Sequence, residues 1–225
     1  MTIRDVQGQV MDQIPVRNVL ISVYDKSGLG TIVPTLLEVN PDVRILSTGG
    51  TYDRLKSIAG ANLVEVAEYT GFPEMEGGLV KTLHPKIHAG LLGERGNPAH
   101  EKYLAEMGGE YIDLLVVNLY PFSQVVAQGV SFEKARGNID IGGPAMLRAG
   151  AKNFLSCAVV CDPADYGMVI AQLKQQNGNT VLPIRASLAT KAFGTTARYD
   201  AAVASYMLTQ MQENLDGITE SYRGG

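Results

Sequence analysis

Short apolar runs alternate with amphipathic segments along most of this chain, and this alternation limits the fold more than any other feature. Strands are predicted at residues 18–23, 43–46, 63–66, 111–118 and 157–161. The run 112–117 is apolar on both faces except at Asp113, as expected for a strand that is covered on two sides. The pattern therefore predicts an α/β fold, with a parallel sheet and helices on both of its faces.

Helical spacing or helix-start signals follow the predicted strands. Helices are predicted at about 28–38, 52–58, 85 onward, 98–107, 122–127, 132–136, 144–152, 163–175 and 185–211, the last with a break near Gly194. Ligands of parallel sheets bind at the carboxyl ends of the strands, where the loops open. Most of the polar motifs described below follow a predicted strand, so we expect the motifs to share one edge of the sheet.

Charge and hydropathy exclude several classes of partner. The chain has 19 Lys and Arg against 23 Asp and Glu, a net charge of −4, and no basic block, so a nucleic-acid partner is not expected. No apolar run reaches the ~18 residues that a membrane helix needs. The first 16 residues are polar and mixed in charge, unlike a signal peptide. We expect a cytoplasmic protein with no membrane partner.

The two cysteines lie in one predicted strand. Cys157 and Cys161 are separated by three apolar residues, and four residues along a strand span about 13 Å. A disulfide needs Cα atoms within about 7 Å of each other. Both cysteines are therefore expected to be free thiols in a reducing compartment.

A glycine-rich turn, Ser-Thr-Gly-Gly-Thr at 47–51, joins a predicted strand to a predicted helix. Such a turn lets backbone N–H groups at a helix N-terminus approach an anion closely. The structural alternative is a plain turn in which Thr51 caps the helix. Lys26, after the first strand, could complete an anion site or could be a solvated side chain beside a helix start.

A lysine in apolar surroundings marks the segment 79–85. Lys81 lies between Val80 and Thr82, so partial burial is expected, as is usual for a lysine that takes part in proton transfer. His84 and His88 are four residues apart and could share a helical face, as in a zinc site, but no acidic residue lies between them. Capping or packing roles for these histidines are favoured over metal binding.

Two further motifs carry polar groups to the expected edge. Asn118 and Tyr120 end the long apolar strand, where the alternative is a strand terminus with a half-buried tyrosine ring. Asp140 lies between two isoleucines, where burial would raise the pKa of its carboxyl and a nearby lysine would lower it. The alternative for Asp140 is capping of the helix that follows Gly142-Gly143.

Five motifs in register resemble one family. The first two are Ser-Val-Tyr-Asp-Lys-Ser-Gly-Leu at 22–29 and Ser-Thr-Gly-Gly-Thr at 47–51. The third joins Gly-Phe-Pro-Glu-Met at 71–75 to Val-Lys-Thr-Leu-His-Pro-Lys-Ile-His-Ala-Gly-Leu-Leu at 80–92, and the fourth is Asn-Leu-Tyr-Pro-Phe at 118–122. The fifth joins Ile-Asp-Ile-Gly-Gly-Pro at 139–144 to Leu-Arg-Ala-Gly-Ala-Lys-Asn at 147–153. Together they resemble the inosine monophosphate (IMP) cyclohydrolase domain. In that family the domain is the N-terminal part of a bifunctional protein that also carries an AICAR formyltransferase.

The resemblance implies a methylglyoxal-synthase-like fold, which has a small Rossmann-type parallel sheet, and a hydrolase of the cyclic-amidine class. Its reaction, the last step of de novo purine biosynthesis, closes 5-formamidoimidazole-4-carboxamide ribonucleotide to IMP with loss of water. The family uses no cofactor and no metal. The implied partner is a small-molecule purine nucleotide, which a separate formyltransferase could supply, and a homodimer is compatible with the sequence.

The resemblance also implies roles for individual residues. Lys81 and Tyr120 would donate to the formyl oxygen, and Asp140, paired with Lys152, would orient or deprotonate the carboxamide. Backbone N–H groups at Ile141 and Gly142 would add to this oxyanion site. The 5′-phosphate would be held by residues on the glycine-rich turn and its neighbours: Ser22, Lys26, Thr48, Gly49, Gly50, Thr51 and Thr82. Asn118 would lie at the same rim.

Two positions depart from the family pattern. The family has Arg two residues before the catalytic lysine, where this chain has Leu79, and a leucine cannot form the paired charge-assisted hydrogen bonds of an arginine. The family often has Ser at the position of Tyr24, which adds bulk at the mouth of the phosphate site. We expect Leu79 to weaken phosphate binding.

We expect residues 1–225 to form a single IMP cyclohydrolase-like domain without the formyltransferase domain, whether free-standing or part of a longer protein. The main alternative is a regulatory purine-nucleotide-binding module on the same fold, which would need the phosphate pocket but not Lys81, Tyr120, Asp140 and Lys152 together. Methylglyoxal synthase is less favoured, because that family has an acidic residue after a Gly-Gly pair, and here Gly77-Gly78 precede Leu79.

Overall fold

The computed structural model describes residues 10–76, 79–213, 215 and 218–219 of the chain. Its strands are β1 (Gln13–Pro15), β2 (Asn18–Val23), β3 (Arg44–Ser47), β4 (Leu63–Glu65), β5 (Leu114–Asn118), β6 (Ala158–Val160) and β7 (Asn179–Val181). Gly77 and Gly78 of the Gly-Gly-Leu comparison lie outside the described residues.

The helices connect these strands along the chain. They are α1 (Leu29–Val39), α2 (Gly49–Ala59), α3 (Val66–Thr70), α4 (Pro85–Leu92), α5 (Pro98–Glu106), α6 (Phe122–Val126), α7 (Phe132–Gly137), α8 (Gly142–Lys152), α9 (Tyr166–Gln175) and α10 (Leu182–Glu213). Among the described residues, no helix combines the length and hydropathy that crossing a membrane requires.

Five strands form a parallel sheet in the order β4-β3-β2-β5-β6. The chain builds outward from β2 to β4 and then crosses back to continue at β5 on the other side. The strand order thus reverses between β2 and β5, and a crevice opens at such a point at the carboxyl ends of the strands. This sheet confirms the predicted parallel α/β fold.

Both faces of the sheet are covered, because its strands alternate their side chains between two apolar layers. In β2, Val19 and Ile21 pack with Leu29 and Ile32 of α1 on one face, whereas Leu20 packs in the layer of α4, α8 and α10 on the other. All of these side chains are buried. The sequence patterns of the strands follow from this two-sided burial.

A second, two-stranded sheet was not predicted. In it β1 pairs antiparallel with β7, and each strand has only three residues, too few to give a periodic pattern. Arg185 of α10 joins this sheet to the rest of the molecule, because its fully buried guanidinium donates hydrogen bonds to backbone carbonyls of both. The backbone carbonyls that accept are those of Met11, Asp12, Phe154, Leu155 and Thr180.

Two predicted helix boundaries were wrong. Helix α10 continues unbroken through Gly194. A glycine inside a helix lowers its stability by only about 1 kcal/mol relative to alanine, which is not enough to break a long, packed helix. Helix α2 begins at Gly49 and not at residue 52, because Gly49 adopts a φ of 54° that turns the chain directly from β3 into the helix.

Candidate active site

The glycine-rich turn places the N-terminus of α2 at the carboxyl edge of the sheet. Its cap residue is Thr48, and the first intrahelical bond runs from the N–H of Tyr52 to the Thr48 carbonyl. The N–H groups of Gly49, Gly50 and Thr51 donate to no other described residue. A ligand at this end of the helix would therefore meet free donors and the positive end of the helix dipole.

Thr51 does not cap the helix, contrary to the structural alternative stated above. Its hydroxyl is buried and donates to the Val23 carbonyl at 2.9 Å, while the Val23 N–H donates to the hydroxyl at 3.1 Å. Thr51 thus joins α2 to the end of β2, and its oxygen is used within the protein.

Two lysines approach the N-terminus of α2. A β-carbon added to Gly49 would lie 3.1 Å from Nζ of Lys81, and one added to Gly50 would lie 3.9 Å from Nζ of Lys26. The contact at Gly49 is tighter than an ordinary Cβ contact, so a side chain there would crowd the Lys81 ammonium, whereas the contact at Gly50 is of ordinary van der Waals length. We call this group, the first turn of α2 with Lys26, Thr48 and Lys81, the anion cradle.

An acidic side chain already occupies the anion cradle. Glu74 accepts a hydrogen bond from the Thr48 hydroxyl at 3.0 Å through Oε1, and its Oε2 lies 2.7 Å from Nζ of Lys81. Sequence reasoning did not single out Glu74, although it lies in the loop that leads to Lys81. One sequence signal could have identified it: Glu74 is an acidic residue that lies between the glycine-rich turn and Lys81 in the sequence.

The two departures from the family pattern are both exposed side chains. The Leu79 side chain is 60% exposed and makes no ion pair, and Tyr24 is 51% exposed. The Tyr24 ring meets the Tyr120 ring edge-on, with centroids 5.3 Å apart. Tyr24 therefore narrows the mouth of the site by packing on Tyr120.

The N-terminus of α8 forms the second half of the site. Asp140 accepts a hydrogen bond from the Gly143 N–H at 2.8 Å, so its carboxylate caps the helix, as the structural alternative for this residue predicted. Its own N–H donates to the Tyr199 hydroxyl at 2.7 Å. Burial raises the pKa of the Asp140 carboxyl, and the backbone N–H groups of Gly143 and Tyr120 offset this only in part.

Consecutive residues connect the two halves. A β-carbon added to Gly142, the first residue of α8, would lie 2.9 Å from Oγ1 of Thr82, and Thr82 follows Lys81 directly. Lys81 thus reaches the start of α2 while Thr82, which is buried, reaches the start of α8. The N–H of Gly142 donates to no described residue, so α8 also offers a free donor.

The expected pairing of Asp140 with Lys152 was wrong within this chain. Asp140 lies at the start of α8, whereas Lys152 is in its last turn and exposed. A helix rises 1.5 Å per residue, so about 15 Å separates the two ends.

Asn118 and Ser22 have mainly structural surroundings. Asn118 accepts from the Asp25 N–H and donates to the Asp25 carbonyl, both at 2.9 Å, which closes the crevice between β2 and β5. Both polar groups of its side chain are therefore in use. Ser22 is half-buried within β2, and Ile141 is exposed at the cap position of α8.

The histidines have structural positions. His84 caps α4 by accepting the Lys86 N–H at Nδ1, and burial lowers the pKa of His88 in the same helix. Among the described residues, no three His, Cys, Asp or Glu side chains group as a metal site would require. Cys157 and Cys161 are both free and buried, as predicted.

A wider cleft of about 830 Å³ opens beside the Tyr24–Tyr120 pair, on the side toward β6 and α10. Lys26 lines both this cleft and the anion cradle. Lys191 and Arg198 of α10 line the far wall, and Lys191 is neutralised by Asp162 and Asp165 at 2.8 and 2.7 Å. Sequence reasoning had assigned these α10 residues no role, because their only pattern was helical spacing.

Comparison with known proteins identifies two family matches along the chain. Residues 31–145 match the MGS-like domain, and residues 150–223 match the AICARFT/IMPCHase bienzyme. Among solved structures, the crystal structure of ForH superimposes with a TM-score of 0.70 at 34% sequence identity, covering 83% of this chain and 96% of that one.

Curated relatives agree with both matches. The bifunctional purine biosynthesis protein PurH of Magnetococcus marinus is 48% identical over 92% of this chain, and that of Rhodospirillum rubrum is 47% identical over 90%. PurH of Mycobacterium marinum is 51% identical over 86%. The chain spans 39%, 38% and 36% of the lengths of these three relatives.

Proposed function

The chain belongs to the MGS-like domain family and is similar to the PurH proteins. From this premise we propose that it is an IMP cyclohydrolase. It would close 5-formamidoimidazole-4-carboxamide ribonucleotide to IMP with loss of water. One observation carries the proposal: Lys81 and Thr82 bring the N-termini of α2 and α8 together at one edge of the sheet. One end suits a phosphate, and the other suits a group that gains negative charge.

The substrate fits this arrangement by its chemistry. Its 5′-phosphate would replace the carboxylate in the anion cradle, where helix N–H groups, the Thr48 hydroxyl and two ammonium groups converge. Its imidazole would then extend toward α8, with the formamido and carboxamide arms beside Asp140. Because the reaction is intramolecular, holding these two arms in the reactive rotamer would supply much of the rate.

The bond changes assign a role to each side chain. The carboxamide nitrogen attacks the formyl carbon and passes a proton to Asp140, while the formyl oxygen becomes an oxyanion. The free N–H of Gly142 and the Tyr120 hydroxyl would stabilise this oxyanion. The Lys81 ammonium, which the resemblance assigned to the formyl oxygen, lies instead beside Gly49 in the anion cradle. Asp140 returns the first proton to that oxygen, which makes a hydroxyl. The hydroxyl then leaves with a second proton, lost from the formamido nitrogen, as water, and the C=N bond forms between the former formyl carbon and that nitrogen.

The raised pKa of Asp140 suits this task. A carboxylate with an ordinary pKa is a weak base near neutral pH, and burial makes the Asp140 carboxylate a better proton acceptor. The backbone N–H of Gly143 fixes the orientation of the carboxylate without neutralising it. The capping contact and the catalytic role are therefore compatible.

The test is to offer the purified chain its formylated substrate and follow the absorbance of the purine ring. We expect catalytic turnover without formyl donor, because ring closure alone is proposed. Binding of IMP without turnover would instead support the regulatory nucleotide-binding module. An inactive chain that binds neither nucleotide would contradict both.

A further inference from the structure

Glu74 holds the place that a phosphate would take. Its carboxylate touches two donors of the anion cradle, the Thr48 hydroxyl and the Lys81 ammonium, at 3.0 and 2.7 Å. The Lys81 ammonium in turn lies against Gly49, at the free N–H groups of α2. A carboxylate and a phosphate make the same kinds of charge-assisted hydrogen bond, so the two anions compete for these donors.

We propose that Glu74 is a resident anion which the substrate phosphate displaces, and that it thereby sets the affinity of the site. The proposal rests on the proposed function only in taking a phosphate ester as the ligand. With Glu74 in place the cradle has two lysines against one carboxylate. With Glu74 displaced, both lysines face the incoming phosphate.

The loop that carries Glu74 is built for such an exchange. It follows α3, whose C-terminus is capped by Gly71 with a φ of 75°. Its first side chain, Phe72, packs on the His84 ring with centroids 5.0 Å apart. Beyond Phe72, the side chains of Met75 and Glu76 are exposed. Within the described part of the loop beyond Phe72, the Glu74 contacts are the side-chain hydrogen bonds to the body of the protein.

Leu79 makes this competition more important. An arginine at that position would add a third cation that Glu74 does not neutralise, but Leu79 adds none. The cradle of this chain therefore offers a phosphate two lysines, and Glu74 already engages one of them, Lys81. We infer that relieving Glu74 has a larger effect here than it would have in a cradle with the arginine.

The test compares Glu74→Gln with the matched control Glu76→Gln. Both variants remove one carboxylate from the same loop and change the net charge equally, but Glu76 is exposed and makes no hydrogen bond or ion pair with the described residues. Calorimetric titration with inorganic phosphate, and separately with IMP, measures affinity without turnover. We expect Glu74→Gln to bind both about tenfold more tightly, and Glu76→Gln to stay within about twofold of the parent.

Several results would overturn the proposal. Unchanged or weaker binding by Glu74→Gln would show that the carboxylate orients Lys81 and does not compete with phosphate. Equal tightening in both variants would reduce the effect to long-range charge. Absence of phosphate and IMP binding in all forms would remove the cradle as an anion site.

Turnover separates this inference from the proposed function. If Glu74 only competes, Glu74→Gln lowers KM and leaves kcat within a few-fold, because binding of a remote phosphate is uniform between ground and transition states. A lower kcat would support the orienting role and contradict the inference. Tighter phosphate binding in a chain that never turns over would sustain the inference while refuting the cyclohydrolase.

Discussion

Leu79 lies two residues before Lys81 of the anion cradle, and its side chain is 60% exposed. Leu79→Arg should place a guanidinium near the phosphate and lower KM, because a hydrogen bond between charged groups strengthens affinity by about 10–150-fold. The phosphate is remote from the reacting atoms, so kcat should stay within a few-fold. Steady-state kinetics on both forms measure the two constants separately.

Leu92→Arg is the control for that change. Leu92 is 39% exposed at the far end of α4, so the variant adds the same charge away from the cradle. It should leave KM unchanged. If Leu79→Arg leaves KM unchanged or raises it, Leu79 does not face the phosphate, and the pocket assignment for this segment would be withdrawn.

Asp140 makes stability depend on pH in a defined direction. Its folded-state pKa is raised above 3.8 by burial, so the ionised carboxylate is disfavoured in the fold. At pH below 3.8 the group is protonated in both the folded and the unfolded state and costs nothing. As the pH rises from there to the folded-state pKa, the parent loses up to about 1.4 kcal/mol of stability for each pH unit between the two pKa values.

Asp140→Asn should therefore be stabilised at neutral pH relative to the parent, since the amide oxygen keeps the hydrogen bond from Gly143 and carries no charge. Urea unfolding at pH 7 and near pH 4 measures the difference, which should shrink at the lower pH. A variant that is less stable than the parent at pH 7 would mean that hydrogen bonds to the carboxylate outweigh its burial.

The N-terminus of α8 depends on the absence of a side chain at Gly143. A β-carbon there would lie 2.5 Å from Oδ2 of Asp140 and 2.7 Å from Cδ2 of Leu119. Gly143→Ala should displace the Asp140 carboxylate and lower kcat by about tenfold or more, because misplacing a catalytic group by about 1 Å can cost up to 10²-fold. Enzyme kinetics and thermal unfolding of the variant test this.

Gly30→Ala supplies the comparison at an open position. Gly30 lies in α1 with nothing within 4 Å of an added β-carbon. This change should raise stability by about 0.5 kcal/mol through the loss of backbone freedom in the unfolded chain, with kcat unaffected. Equal kcat in Gly143→Ala and the parent would argue against a fixed carboxylate.

The two-stranded sheet depends on Arg185. Arg185→Met would leave several buried carbonyls without a donor, each costing about 1–3 kcal/mol. We expect the free energy of unfolding to fall by about 3 kcal/mol or more. Arg54→Met, at an exposed position on α2, should stay within about 0.5 kcal/mol of the parent. Similar losses in both variants would contradict the structural role of Arg185.

For the whole molecule, the order of strands decides where the chemistry can occur. The strands β2 and β5 are neighbours although their connections run in opposite directions across the sheet. Two hydrogen bonds between Asn118 and Asp25 join the ends of these strands. The loop after β3 forms the start of α2 beside it. Residues that are distant in sequence thus meet at one edge of the molecule.

The sequence predicted the sheet and the edge because periodicity and glycine chemistry are local signals. It named Lys26 as a candidate for the anion site, but it assigned Lys81 to the formyl oxygen, whereas the structure places the Lys81 ammonium beside Gly49. It missed Glu74, Arg185 and the β1–β7 pair, whose roles depend on contacts between distant segments. The pairing of Asp140 with Lys152 came from the family resemblance, which gives no distances. In the structure the length of α8 separates the two residues.

The most direct test of the proposed chemistry is the single-turnover rate of ring closure in Asp140→Ala, measured together with its affinity for IMP. General-base catalysis typically supplies 10²–10⁴-fold, so the rate should fall by about 10² or more while IMP affinity stays within a few-fold. Asp53→Ala, an exposed change on α2, should retain the parent rate. Near-parent ring closure by Asp140→Ala would remove the start of α8 from the mechanism and contradict the proposed site.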